Sequence, residues 1–319
     1  MMDKRYYKGI ILGIGGIRMP LATTETLSAG LQIDARPRLE AAEFLLDGQS
    51  AAINAVRQAA PMLLSAAQTI ASAIRKGHSI HYAAAGSSGL MALADASELN
   101  GTFGIPSEKI QIHMAGGVPV DGHMPGNTED DETSARQFAK KISNGDVVVV
   151  LTASGTTPYA LETARAANRK GAFVIGIANN PGTPLLDLAD GPICIATPPE
   201  VVAGSTRLGA GTAQKAALNL MSTFMGIELG HVYQGEMVNV VADNAKLVRR
   251  SIAIVSRIAG VSEEKAETAI AQTNGQVKPA VLVASGCPPA QAGTLLEYYS
   301  GQLGPCLSSL SSNQTNMSN

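Results

Sequence analysis

Two turns rich in glycine, serine and threonine carry the side chains that are best suited to chemistry. The first turn is Gly86-Ser87-Ser88-Gly89, which follows the short run 79–82 and passes directly into a helical pattern. Small residues let the backbone approach an anion closely, and the two hydroxyl groups can donate hydrogen bonds to its oxygens. The first N–H groups of the helix also point at the anion with the positive end of the helix dipole. The turn therefore predicts a phosphate site.

The second turn repeats this arrangement further along the chain. Ser154, Thr156 and Thr157 follow the apolar run 147–151, which is typical of a strand buried on both faces. Serine, threonine and glycine are also common at ordinary strand–helix junctions, so one such turn alone decides little. Because ligands lie at the carboxyl ends of parallel strands, the two turns together predict a site for one sugar phosphate.

Candidate acid–base groups follow each turn. Glu98 lies on the helix after the first turn, where a lone glutamate is usually solvated. Glu129 follows the long loop 115–128 and begins an acidic run, so capping of the next helix is a competing role. The neighbours Asp130 and Glu132 are alternatives to Glu129, and His113 and His123 are further acid–base candidates. No spacing of histidine, cysteine and acidic residues suggests a metal site.

Composition limits the possible functions. The chain has 319 residues, a net charge of −2, 45% apolar residues, 4% aromatics and no tryptophan. The charge gives no general attraction to nucleic acid or to an anionic membrane. Three cysteines without disulfide or zinc spacing indicate reduced thiols and a cytoplasmic protein. The N-terminal run lacks a signal-peptide cleavage site, and no window approaches the roughly 18 apolar residues of a membrane span.

The order of elements predicts an α/β fold with a doubly wound parallel sheet, N-terminal helices and a small C-terminal helical cap. Pro61 is expected to divide the helical stretch 50–75, which follows a separate helix around 38–46. Strands are predicted at about 79–84, 110–114, 147–151, 173–177 and 191–195, and C-terminal helices at 244–259, 262–272, 277–284 and 289–299. We predict a flexible lead over 1–22, a ligand-binding domain over 23–235, a helical domain over 236–305 and a disordered tail over 306–319.

Several motifs together resemble one known family. The longest is the segment 200–215, and it is accompanied by Thr24-Glu25, by 94–98, by 153–159 and by 239–247. These motifs resemble the sugar isomerase (SIS) domain family, in the branch that contains N-acetylmuramic acid 6-phosphate etherase and the glucokinase regulatory protein. The resemblance covers about residues 23–300 and implies a flavodoxin-like sheet.

The resemblance implies a cofactor-free lyase that removes D-lactate from the sugar phosphate in amino-sugar metabolism and cell-wall recycling. Elimination across C2 and C3 followed by hydration needs an acid and a base. The motifs match Glu98 and Glu129 to the family's two glutamates. We assign Glu98 as the acid and Glu129 as the base, and the reverse assignment stays open. Ser205 and Lys215 of the long motif join the expected phosphate-binding residues, although a helix-surface role for Lys215 is equally compatible. The family also implies a homodimer in which one subunit closes the site of the other.

The chain departs from the family pattern at three places that usually carry a positive charge. Leu90 and Thr156 replace the arginines of the two turns, and Gly209 replaces a common lysine. These changes leave three alternatives to the etherase reaction. They are a paralogue acting on another sugar phosphate, a non-catalytic sugar-phosphate-binding regulator, and an aldose–ketose isomerase.

Overall fold

The computed structural model describes residues 23–26 and 32–317, with side chains described up to residue 312. The predicted flexible lead 1–22 lies outside these residues. A single parallel sheet dominates the described chain, with strands β1 (Ile80–Ala84), β2 (Ile110–Met114), β3 (Val147–Thr152), β4 (Phe173–Ala178) and β5 (Gly191–Cys194). The strand order is β2-β1-β3-β4-β5 and every pairing is parallel. The prediction of a doubly wound, flavodoxin-like sheet is confirmed.

Both faces of the sheet are covered, which explains why β3 is apolar throughout. Val147, Val149 and Leu151 pack into one core with the helices that begin at Arg38, Gly86 and Gly209. Val148 and Val150 point the opposite way and pack against the fourth helix. The helices are α1 (Arg38–Arg75), α2 (Gly86–Phe103), α3 (Glu132–Phe138), α4 (Pro158–Arg169), α5 (Pro184–Leu188) and α6 (Gly209–Glu228).

Helix α1 corrects the prediction of a break. It runs unbroken for 38 residues through Gly48 and Pro61. Pro61 is exposed, so its missing N–H faces away from the core, while Val56, Leu63 and the alanines beside them stay buried. Packing of this alanine-rich face against α6 and the sheet offsets the lost hydrogen bond.

The C-terminal part of the chain has its own hydrophobic core, which extends from Val238 to Cys306. It follows a hairpin of β6 (Val232–Tyr233) and β7 (Glu236–Met237), which the sequence did not predict. Its helices are α7 (Ala245–Ala259), α8 (Glu263–Gln272), α9 (Val277–Ala284), α10 (Pro289–Tyr298) and α11 (Leu303–Met317). The predicted domain boundaries themselves stay predictions.

Helix α11 contradicts the predicted disorder over residues 306–317, the part of the tail that the structure describes. The polar composition of 306–319 suggested disorder, but Cys306 is fully buried and Leu307 and Leu310 pack against the C-terminal core. Apolar residues at a helical spacing therefore attach this segment. Within the described residues, no helix is long and apolar enough to cross a membrane.

Candidate functional site

The candidate site is a cleft at the carboxyl ends of β1 and β3, where the strand order reverses. This is the position at which open parallel sheets bind their ligands. The described residues that line the cleft come from the first turn, the second turn, the long loop and two further segments. They are Glu25, Ala85, Ser87, Ser88, Glu129, Leu151, Thr152, Ala153, Ser154, Thr157 and Thr206. The structure therefore brings the two predicted turns together, as expected.

The first turn forms the N-terminus of α2. Gly86 adopts a left-handed backbone with φ of 56°, which glycine tolerates better than other residues. Ala85 occupies the N-cap position and supplies no side-chain cap, so no side chain competes for the first N–H groups of the helix. Ser87 and Ser88 follow within the first turn and both line the cleft. This end of α2 suits an anion.

The second turn presents linked hydroxyl groups to the same cleft. The Oγ1 atoms of Thr152 and Thr157 lie 2.7 Å apart, and Ser154 Oγ lies 3.3 Å from Thr152 Oγ1. Ser154 Oγ accepts hydrogen bonds from the backbone N–H and the hydroxyl of Thr156, at 3.2 Å and 3.0 Å. Thr156 itself is exposed and does not line the cleft, so its role is to orient Ser154.

Glu129 is held by its backbone at the mouth of the cleft. Its carbonyl accepts a hydrogen bond of 2.9 Å from the N–H of Tyr159, one of the free donors at the start of α4. Helix α3 begins only at Glu132, and the carboxylate of Asp131 caps it by accepting from Ser134 N at 2.9 Å. Capping therefore falls to Asp131, and the carboxylate of Glu129 is left for the cleft.

The Glu129 carboxylate lies directly against Gly86. A Cβ atom added at Gly86 would lie 2.6 Å from Glu129 Oε1, which is closer than Cβ atoms are found to approach. The positive φ favours glycine at this position, and a methyl group there would displace the end of the Glu129 side chain. The pair places a carboxylate next to the predicted phosphate end of α2.

We expect Gly86→Ala to lower kcat at least about tenfold, because the new methyl group displaces the Glu129 carboxylate. The matched control is Gly182→Ala, since Gly182 has a similar φ of 64° but no atom within 4 Å of the added Cβ. Both variants should lose about 1 kcal/mol of stability from backbone strain. Thermal unfolding and steady-state kinetics separate the two effects, and equal kcat values for both variants would contradict the steric argument.

Glu98 does not line the cleft of its own chain. It is exposed on α2, roughly 18 Å along the helix axis from Gly86 at about 1.5 Å per residue. The neighbouring Asp95 fixes the direction of this helix, because its buried carboxylate accepts from Tyr82 Oη at 3.0 Å and from Asn219 Nδ2 and Ser222 Oγ at 2.9 Å. Burial raises the pKa of Asp95. One chain therefore does not bring Glu98 and Glu129 together.

Ser205 and Lys215 also lie outside the cleft lining, and Lys215 is exposed on α6. The N-terminus of α6 is occupied by Glu200, whose carboxylate oxygens accept from the N–H groups of Gly209 and Ala210 at 2.8 Å and 2.9 Å. This helix end is already capped by a carboxylate. The sequence prediction of a second anion-binding contribution from Lys215 therefore finds no support within one chain.

Three polar residues of the cleft, Glu25, Thr152 and Thr206, were not predicted as site residues. Glu25 and Thr206 both line it, and each belongs to a motif on which the family resemblance rests. The signal was present, since Glu25 stands in the Thr-Glu pair and Thr206 follows Ser205 in the long motif. Their distance in sequence from either turn concealed their location.

The histidine alternatives do not belong to the cleft. The His113 ring stacks on Phe138 with the ring centroids 3.4 Å apart, and burial lowers the pKa of His113 to about 3. His123 is exposed in the long loop and is absent from the cleft lining. Acid–base chemistry in this cleft therefore rests on carboxylates.

The charge of the cleft is negative. Glu25 and Glu129 are its ionisable groups, and no lysine, arginine or histidine occurs among the described residues that line it. Hydroxyl groups and the N-terminus of α2 are the donors available for an anion. Within the described part of the chain no group of histidine, cysteine and acidic residues could hold a metal ion.

Comparison with known proteins gives consistent matches. A family model described as the SIS domain matches residues 46–179. The N-acetylmuramic acid 6-phosphate etherase of Deinococcus radiodurans is 40% identical over 256 residues, covering 79% of this chain and 84% of the relative. The protein of the same name from Aeromonas hydrophila is 38% identical over 287 residues, covering 89% and 96%. A phosphoheptose isomerase structure from Francisella tularensis has a TM-score of 0.43 and 18% identity, covering 60% of this chain and 98% of that chain.

Proposed function

We propose that this chain, which belongs to the N-acetylmuramic acid 6-phosphate etherase family, is a carbon–oxygen lyase. Its proposed substrate is N-acetylmuramic acid 6-phosphate. The proposed reaction releases D-lactate and leaves N-acetylglucosamine 6-phosphate, as the family resemblance implies. The observation that carries the proposal is the single cleft that combines the hydroxyl-lined turns with the carboxylate of Glu129. Such a cleft offers donors for a phosphate and a base for the sugar.

The proposed reaction uses a proton transfer that a carboxylate can perform. Glu129 accepts the proton from C2, the electron pair of that C–H bond forms the C2–C3 double bond, and the C3–O bond breaks. An acid protonates the departing ether oxygen, which leaves as the hydroxyl of D-lactate. Water then adds across the double bond, with its oxygen at C3 and a proton at C2. No redox change occurs, so the steps need no cofactor.

We infer that Glu98 supplies the acid in the cleft of a second copy. The family motif matches Glu98 to one of its two glutamates, while the structure exposes it on α2 away from its own cleft. A homodimer that places this face of α2 over the partner's cleft reconciles the two observations. The free thiols Cys194, Cys287 and Cys306 are compatible with a reducing cytoplasmic setting.

The direct test measures the release of D-lactate from N-acetylmuramic acid 6-phosphate, with D-lactate dehydrogenase as the detecting enzyme. In water enriched in ¹⁸O, we expect the label in the sugar product and not in lactate, because the C3–O bond breaks. Substrate incubated without protein is the control. Failure to release lactate at high protein concentration would refute the etherase proposal.

One observation favours a second candidate, a sugar-phosphate-binding regulator without turnover. The described cleft lining contains no cation, and Leu90, Thr156 and Gly209 stand where the family pattern carries positive residues. If the protein is such a regulator, we expect it to bind a sugar phosphate tightly and to catalyse neither lactate release nor isomerisation. Calorimetry together with product analysis separates the two functions.

A further inference from the structure

We propose that Glu25 is a substrate-binding residue that selects for the sugar, because its carboxylate accepts hydrogen bonds from hydroxyl groups of the sugar ring. This inference rests on the proposed function and deepens it by dividing the cleft into two parts. The hydroxyl-lined turns and the N-terminus of α2 receive the phosphate. The carboxylate of Glu25 receives the polyhydroxyl part of the same ligand.

The position of Glu25 is built by several specific contacts. Thr24 is fully buried, and Asn180 Nδ2 lies within hydrogen-bonding distance of Thr24 Oγ1 at 3.1 Å. The same amide group bonds the carbonyl of Ala153 in the second turn at 2.8 Å. The carbonyl of Thr24 accepts from the N–H of Gly204 at 3.3 Å. The short 3₁₀ turn Thr23–Glu25 is thereby attached to the second turn and to the segment that leads into α6.

The carboxylate at the end of this turn has no partner of its own. Within the described residues, the Glu25 side chain accepts no hydrogen bond and forms no ion pair, and it lines the cleft with its carboxylate exposed to solvent. A Cβ atom added at Gly204 would lie 3.3 Å from Glu25 Oε2, so the glycine leaves little more than the space that the carboxylate needs. The anchored backbone thus presents to the cleft a solvent-accessible carboxylate that can accept hydrogen bonds from the donors of a ligand.

The chemistry of the carboxylate decides which part of the ligand it meets. An ionised carboxylate only accepts hydrogen bonds, and a phosphate dianion also only accepts, so Glu25 repels a phosphate. Ring hydroxyl groups can donate, and hydrogen bonds to a charged acceptor are about twice as strong as neutral ones. Removing the charge of Glu25 must therefore lower the affinity for the sugar hydroxyl groups and raise the affinity for the phosphate.

The experiment measures binding of two ligands by calorimetry, namely N-acetylglucosamine 6-phosphate and inorganic phosphate. Glu25→Gln should lower the affinity for the sugar phosphate by about 10-fold or more, while the affinity for inorganic phosphate stays the same or rises. Glu25→Asp keeps the charge and should retain more sugar-phosphate affinity than Glu25→Gln. Glu43→Gln is the matched control, since Glu43 is exposed on α1 and does not line the cleft. Thermal unfolding verifies that each variant is folded.

This role of Glu25 would be overturned if a folded Glu25→Gln protein kept its affinity for the sugar phosphate. It would also be overturned if the affinities for both ligands fell equally. The lactate assay separates that failure from failure of the proposed function. If the wild-type protein releases lactate while Glu25→Gln binds both ligands normally, only the role of Glu25 is refuted. If the wild-type protein binds the sugar phosphate through Glu25 but releases no lactate, the etherase proposal alone is refuted.

Discussion

Glu129→Gln is expected to lower kcat for lactate release by about 10³-fold, within the range that general base catalysis contributes. Glutamine preserves the size of the side chain beside Gly86 but cannot accept the C2 proton. The backbone contact that holds this residue, from Tyr159 N to its carbonyl, is unaffected by the substitution. Affinity for N-acetylglucosamine 6-phosphate should therefore remain within a fewfold of wild type, as measured by calorimetry.

Asp130→Asn is the matched control for this prediction. Asp130 is an exposed acid in the same loop, adjacent to Glu129 in sequence but absent from the cleft lining. We expect it to leave kcat within about twofold, as is usual for surface substitutions. If Asp130→Asn caused the large loss instead, the base would be the neighbour that the sequence left open as an alternative. Loss of binding together with kcat would indicate a structural role for Glu129.

The sheet could be predicted because its strands are short and bounded by turn residues, and because β3 is apolar from Val147 to Leu151. The run around Val149 has no polar interruption, and the pattern reflects burial by helices on both faces. The two phosphate-type turns could be placed at one edge for the same reason, since parallel strands end on the same side. Local sequence patterns were therefore sufficient to predict the architecture and the two turns of the cleft.

The errors in the fold arose where tertiary packing overrides local preference. Pro61 predicts a break, but α1 packs against α6 and the sheet and buries Val56 and Leu63 on either side of the proline. The serine-rich tail predicts disorder, but Cys306, Leu307 and Leu310 give it an apolar side that packs on the C-terminal core. In both segments the deciding interactions come from residues remote in sequence.

The limits of the site prediction have a related origin. A family motif identifies residues without giving their distances, so it does not show that α2 carries Glu98 away from the cleft of its own chain. The pairing of Glu98 with Glu129 stays a prediction, now placed between two chains. Glu25 and Thr206 reach the cleft only because Thr24, Asn180 and Gly204 connect distant segments. Sequence spacing alone contains no signal for these connections.

The substituted positions near the cleft acquire specific roles in the structure. Thr156 bonds Ser154 through its N–H and its hydroxyl, and the N–H of Gly209 is bonded to Glu200. These contacts organise the turns without adding positive charge. We therefore expect phosphate binding in the described cleft to depend on neutral donors, and affinity for a phosphate to be sensitive to the charges of Glu25 and Glu129.

A heterodimer of Glu98→Gln and Glu129→Gln chains is expected to recover about half of the wild-type activity per dimer, although each variant alone is inactive. If Glu129 of one chain acts with Glu98 of the other, the mixed dimer contains one site with both substitutions and one intact site. The two chains are coexpressed with different affinity tags and purified through both. Lactate release per dimer is then compared with the wild type and with each homodimer.

The control is a doubly tagged dimer of Glu129→Gln with Glu129→Ala, in which no site is intact and no activity should return. This comparison excludes contamination and trace wild-type protein as sources of the signal. If Glu98 and Glu129 acted within one chain, every site of the mixed dimer would lack one carboxylate and the heterodimer would be inactive. That result would require α2 to move Glu98 into its own cleft, against the hydrogen bonds that fix Asp95 to Tyr82, Asn219 and Ser222. The exposure of Glu98 on an anchored helix therefore makes recovery the expected outcome.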